Sequence, residues 1–298
     1  MEKTIYVYLD LQGVPAKVGD LWIHYRNGKE SFTFEYDRKW LQTPNRFSLD
    51  PALQLISGPF HASVDKPLFG ALEDSAPDRW GRMLMRRAER RLAEKEQRHA
   101  RSLRESDFLL LVDDEARLGA LRFKESEQGS FLTTYENQHI PPLISVNKLL
   151  TAANHLAEES DSEEDLKLLL APGSSLGGAR PKANVRDKDG HLAIAKFPKI
   201  DDEIDIIGWE AVALTLAAKA HIRVPDWRLE KAGRQRILIS RRFDRQANTR
   251  IPFLSAMSAL MAKDGELHSY LEIADVIRQL SAAPQKDLHE LWRRIVFN

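Results

Sequence analysis

Hydrophobic and polar positions alternate with a period of two near the start of the chain and with a helical period further on. Ile5-Tyr-Val-Tyr-Leu9 and residues 20–24 read as two strands around a turn in the 13–19 region. Phe32, Phe34 and Tyr36 alternate with polar neighbours as a half-buried strand does, and Asn27-Gly28 before them predicts a hairpin. From Pro77 the period becomes helical: Asp78 can cap, and Trp80, Met83, Leu84 and Ala88 form an apolar stripe. Residues 183–185 and 192–197 read as strands around a turn at 187–190. Residues 209–220 have helical spacing, and 236–240 are again apolar strand. Leu288, Leu291, Trp292, Ile295 and Val296 fall at i, i+3, i+4, i+7 and i+8, an amphipathic last helix without a C-cap glycine. The pattern predicts an α+β protein.

Length and composition narrow the class. At about 150 residues per domain, the 298-residue chain has room for two domains. Cysteine is absent, which removes disulfides, cysteine nucleophiles and thiolate zinc sites and fits a reducing cytoplasm. No apolar run approaches the roughly 18 residues of a membrane span, and the start lacks a signal-peptide core, so a cytoplasmic location without membrane contact is expected. The 44 Lys+Arg balance 44 Asp+Glu, which argues against a generally cationic nucleic-acid binder.

The balanced sum conceals segregation. Ten cations (Arg79, Arg82, Arg86, Arg87, Arg90, Arg91, Lys95, Arg98, Arg101 and Arg104) face three acids over 79–104, if one helix runs that far. This stretch is either a platform for nucleic acid or an acidic partner, or a solvated face whose long stems cover apolar surface. Residues 158–165 hold six acids in eight positions and read as solvated linker or exposed helix start. Pro172-Gly173 follows, which places a boundary near 145–170 and divides the chain into 1–145 and 146–298.

Gly173-Ser-Ser-Leu-Gly-Gly-Ala-Arg-Pro-Lys182 carries the most chemical information. Glycines let backbone N–H groups approach phosphate oxygens, although such a loop also serves as a plain connector. It lacks the endings of a Walker A loop and of a dinucleotide fingerprint. The strand after it, Ala193-Ile-Ala-Lys196, reads like the Val-Ala-Ile-Lys strand of protein kinases, where the lysine pairs with nucleotide phosphates and a helix glutamate holds it. Glu210 opens the next helix and can orient Lys196. Arg241-Arg-Phe-Asp-Arg245 follows the next strand, either as a hinge beside the adenine or as a local ion pair of Asp244 with Arg242 or Arg245.

These residues resemble the HipA-like serine/threonine kinases, toxins of type II toxin–antitoxin pairs. Ser175-Leu-Gly-Gly-Ala-Arg-Pro-Lys182 is similar to the family's Ser-x-x-Gly-Ala-Gln-x-Lys loop, with Arg180 where glutamine is common. Ala195-Lys-Phe-Pro198 and Arg242-Phe-Asp-Arg245 resemble two further blocks. Val18-Gly-Asp-Leu21, Phe34-Glu-Tyr36, residues 68–77 and Gly119-Ala-Leu-Arg-Phe123 resemble the companion subdomain. The resemblance implies a β-rich N-terminal companion subdomain, then a kinase-like N-lobe running into the start of a helical C-lobe. It further implies ATP and Mg²⁺ as cofactors, with Gly177, Gly178, Ala179, Arg180, Pro181 and Lys182 at the phosphates. Lys196 would hold the α/β-phosphates, and the backbone of Arg241, Arg242 and Phe243 would meet the adenine. Ser175 matches the serine the family autophosphorylates. The implied partners are a DNA-binding antitoxin of the HipB type and a protein substrate from translation, such as an aminoacyl-tRNA synthetase.

Phosphoryl transfer also needs an aspartate for the substrate hydroxyl and an Asp/Asn pair for Mg²⁺. In the family these follow a helix resembling Trp292-Arg-Arg-Ile-Val-Phe-Asn298, so 1–298 is expected to lack them. Asp244 with Asn248, Asp189-Gly190 and Asp264-Gly265 are poor substitutes, and the nine histidines lack ligand spacing, so neither a catalytic residue nor a metal site is assigned. The competing expectation is a non-catalytic nucleotide- or antitoxin-binding module.

Overall fold

The computed structural model describes residues 2–63, 66–132, 140, 145–173, 178–247 and 249–298. Its first sheet is antiparallel, in the order β4-β3-β2-β1-β5. The strands are β1 (Glu2–Leu11), β2 (Val14–Arg26), β3 (Lys29–Tyr36), β4 (Pro59–His61) and β5 (Leu121–Lys124). The β1–β2 turn is only Gln12-Gly13, both at positive φ. Residues 14–19, expected in the turn, extend β2 instead; Pro15 and Lys17 hide the alternation, and a register shift between Val7 and Tyr8 absorbs the irregularity. The Asn27-Gly28 turn forms as expected, with both residues left-handed, the twist that suits a tight hairpin. Phe32, Phe34 and Tyr36 join Ile5, Val7, Leu21 and Ile23 in one core. A Cβ at Gly19 would run into the Glu35 carbonyl and the Phe34 ring, so this strand interior requires glycine. Helices α1 (Arg38–Gln42) and α2 (Gly70–Glu73) add Trp40 and Leu72 below the sheet.

Helix α3 (Arg79–Lys95) begins where the stripe predicts, with Asp78 accepting from the Gly81 amide. It stops at Lys95 rather than reaching Arg104. After Ala93 the next stripe positions are Glu96 and Gln97, which bring no apolar surface to bury, and Gln97 turns the chain at positive φ towards α4 (Glu105–Leu110).

The apolar face of α3 serves a second core. Trp80, Leu84 and Met85 pack with residues of α5 (Val146–Ala157) and α6 (Glu163–Gly173). They also meet an antiparallel sheet of order β6-β7-β9-β8. That sheet consists of β6 (Lys182–Arg186), β7 (Leu192–Lys196), β8 (Trp227–Ala232) and β9 (Gln235–Arg241). Helix α7 (Ile206–Lys219) covers the other face, where Ile207 and Ala211 meet Leu238. Strand β8 was not anticipated: it is an edge strand whose few apolar residues sit between Arg228, Glu230 and Lys231. A small hairpin of β10 (Arg245–Gln246) and β11 (Thr249–Arg250) leads to α8 (Ala256–Ala259), α9 (Tyr270–Leu280) and α10 (Pro284–Phe297). The last helix forms as expected, but its stripe is exposed, with Trp292 at 64% and Val296 at 65%. Among the described residues no helix is long and apolar enough to cross a membrane.

The segregated charges meet each other. Asp161, expected in a solvated run, has a fully buried side chain and accepts from Arg87 Nε and Nη2 at 3.0 and 2.6 Å. Lys95 reaches Glu163 at 3.5 Å. On the rest of the basic stretch, Arg82 forks onto Glu105 at 2.6 and 2.7 Å and lies over the Phe108 ring. Arg98 and Arg101 share Glu89, and Arg79 meets Asp264 at 2.7 Å. Ion pairing and coverage of apolar surface engage these side chains.

Candidate functional site

Strand pairing places Lys182 of β6 directly opposite Lys196 of β7. Like charges across a ladder repel, so each needs its own counterion. Lys196 has Glu210 of α7, an ion pair that forms as the sequence predicts. Lys182 is buried and has Asp78, the cap of α3, at 3.6 Å. Burial pushes the Lys182 ammonium below its usual pKa, with Asp78 opposing, and pushes the Asp78 carboxyl up, with Lys182 opposing. Arg180 pairs with Asp202, which also accepts from the Lys199 amide at 2.8 Å. Three cations of the expected phosphate region are thus neutralised by three acids: Asp202, Asp78 and Glu210.

The described part of the glycine loop is compatible with a close-approaching anion. Gly178 and Ala179 are exposed, and Gly178 has φ +93°, open to glycine at little cost. A Cβ there would lie 3.0 Å from Lys182 Nζ. Pro181 is buried, and its carbonyl accepts from the Phe197 amide at 3.0 Å. Ser175 and Gly177 lie outside the described residues. A cleft of about 790 Å³ borders Gly178 and Ala179, flanked by Asp78, Arg79, Arg82 and Glu105. Lys196 and Glu210 do not line it.

The segment after β9 divides by residue. The Arg241 amide donates to Asp226 O at 2.8 Å and the Arg242 amide to Leu192 O at 3.1 Å. The Phe243 ring is 60% exposed and meets Phe253 edge-on. The Arg242 side chain is fully buried: its Nε and Nη2 fork onto Asp244 at 2.8 and 2.6 Å, and Nη1 reaches Ala116 O and Asn184 Oδ1. Asp244 also accepts from the Gly119 amide at 2.7 Å, and Arg245 donates to the carbonyls of Gly119 and Arg117. Burial alone would raise the Asp244 pKa, but hydrogen bonds and charge from Arg242, with the Arg245 charge, hold it below the usual range. The ion-pair alternative therefore describes these side chains. Asp244 is too enclosed to meet a substrate hydroxyl, Asp264 is exposed on the cleft and paired with Arg79, and Asn248 lies outside the described residues. Among the described residues there is no cluster of three or more His, Asp or Glu that could hold a metal ion.

Sequence reasoning anticipated the Lys196–Glu210 pair but missed two counterions. Asp78 was read only as a cap, and Asp202 carries no motif. Their signal is spatial, since the partners are distant in sequence.

Residues 15–124 match the family model described as the HipA N-terminal domain, and residues 174–298 the one described as the HipA-like C-terminal domain. The chain belongs to the HipA-like family. A comparison with curated proteins finds no match. Among solved structures, HipA of Shewanella oneidensis MR-1, in a complex with HipB and operator DNA of a toxin–antitoxin system, shares the fold. The match has TM-score 0.59 and 15% identity, and covers 99% of this chain and 68% of that one. It accords with the expected α+β class. In this HipA-like chain the Arg-Phe-Asp-Arg block joins the two matched regions: Arg117 and Gly119 come from the first, Arg242, Asp244 and Arg245 from the second.

Proposed function

We propose that this HipA-like chain is the nucleotide-binding part of an ATP-dependent serine/threonine kinase toxin, directed at a protein of translation such as an aminoacyl-tRNA synthetase. Its partner is a DNA-binding antitoxin of the HipB type. The observation that carries the reading is the Lys196–Glu210 ion pair, on a strand and a facing helix that follow a glycine-rich loop and its adjoining strand β6. ATP would supply the phosphoryl group, with Mg²⁺ as its counterion. The residues fit a polyphosphate: Gly178 leaves open backbone, and Arg180, Lys182 and Lys196 bring three cations to the same region. Lys196 holds phosphate, Glu210 fixes its direction, and Lys182 and Arg180 flank the loop.

Lys196→Ala is expected to weaken Mg-ATP binding by about tenfold, the scale of one lost charge-assisted contact. A thermal-shift titration reads this out, and the absence of any wild-type shift at millimolar Mg-ATP would sink the reading. Since Asp244 is enclosed by its two arginines and no catalytic aspartate is assigned from the sequence motifs, residues 1–298 alone are expected to bind nucleotide without transferring phosphate. Label passing from radioactive ATP to Ser175 or to an added partner protein would overturn that expectation.

A further inference from the structure

The first turn of α3 touches the expected phosphate loop at three points. The Trp80 amide donates to Gly178 O at 3.4 Å, and the Trp80 indole Nε1 donates to Lys182 O at 2.9 Å in a buried contact. The Asp78 carboxylate stands 3.6 Å from Lys182 Nζ. The two ends of the 178–182 stretch are therefore held by the backbone and the side chain of one residue, Trp80, on a helix outside the β6–β9 sheet. Gly178 completes the arrangement, because Lys182 Nζ passes close to where its Cβ would stand.

We infer that the N-terminus of α3 is a clasp on this loop, in which Asp78 positions the Lys182 ammonium and Trp80 fixes the backbone at either end. This rests on the nucleotide-binding reading of the loop. Lys182 faces Asp78 from α3, Lys196 from β7 and Glu210 from α7. In so buried a place an ammonium keeps its proton only with an anion beside it, and Glu210 is shared with Lys196. Asp78 is thus a positioning residue: it keeps Lys182 charged and aimed, and it carries the placement of the N-terminal region into the site.

Asp78 also caps α3, so the test must spare the cap. Asparagine caps as well as aspartate but carries no charge. The experiment uses the full chain and its Asp78→Asn variant, with Asp78→Ser as a second uncharged cap. Three readouts are taken: melting temperature, hydrogen exchange of the loop amides without nucleotide, and Mg-ATP affinity at two pH values. Both variants should melt within about 3 °C of wild type, while the 178–182 amides exchange about tenfold faster. Without Asp78 the Lys182 pKa falls further, so charge is lost as pH rises. Affinity should drop by about fivefold near pH 8.5 and by less near pH 6.5. Unchanged loop exchange in both variants would overturn the clasp, as would equal affinity losses at the two pH values. If wild type binds no Mg-ATP, the nucleotide reading fails by itself, and faster exchange in Asp78→Asn still supports the clasp.

Discussion

Replacing Asp244 with alanine is expected to lower the unfolding free energy by about 3–5 kcal/mol, the cost of breaking a buried ion pair from one side. Asp244 has no exposed surface, and it is the anion shared by Arg242 and Arg245. Alanine would leave the Arg242 guanidinium enclosed and the Gly119 amide without its acceptor. Two nearby carboxylates are already engaged: Asp114 by Arg122 and Arg250, and Asp10 beside the same two arginines. Burial already pushes the Arg245 pKa down to about 9, so this guanidinium depends on its anion more than an exposed arginine does. Asp244→Asn keeps an acceptor and should recover part of the loss. Urea unfolding followed by circular dichroism provides the measurement. A deficit below about 1 kcal/mol for the alanine variant would mean that water reaches the guanidinium groups and that the network is not closed.

The second large effect is an asymmetry at the contact between α3 and the acidic run. Arg87→Ala should cost about 3 kcal/mol and Asp161→Asn only about 1 kcal/mol, although both break the same pair. The Asp161 carboxylate is fully buried, so losing Arg87 strands a charge with no access to water. The Arg87 side chain is 21% exposed and can turn to solvent when Asp161 loses its charge. Arg91 offers limited rescue: it lies 3.7 Å from Asp161 Oδ2 and spends its short hydrogen bond on the Asp161 carbonyl. Equal costs for the two variants, read from the same urea curves, would show that the desolvation argument is wrong here.

Periodicity and turn chemistry were sufficient for β1, β3, β6, β7, β9, α3, α7 and α10, because each buries a regular apolar face or is bounded by a strong turn. They failed where tertiary contacts decide. Edge strand β8 shows few apolar residues, and the end of α3 depends on where its core stops. The Asp161 carboxylate looks like any solvated acid until Arg87, 74 positions earlier, is placed against it. At the candidate site the same division holds. Lys196 and Glu210 were legible because both lie within a short strand–helix unit with a known order. Asp78 and Asp202 act across distance, and the role of Arg242 as a buried tie to Ala116 and Arg117 has no local signature.

Helix α3 lies in the first matched region yet buries Trp80, Leu84 and Met85 against strands as late as β9. During synthesis its apolar face therefore leaves the ribosome long before its partners exist. With more than a hundred residues still to be added at roughly 5–20 per second, the wait is on the order of ten seconds. Through that interval Glu89, itself buried in the finished fold, can already be held by Arg98 and Arg101 from the same stretch of chain. Over the same wait the arginines along α3 give the helix a charged face, while its apolar face waits for β6 to β9 to cover it.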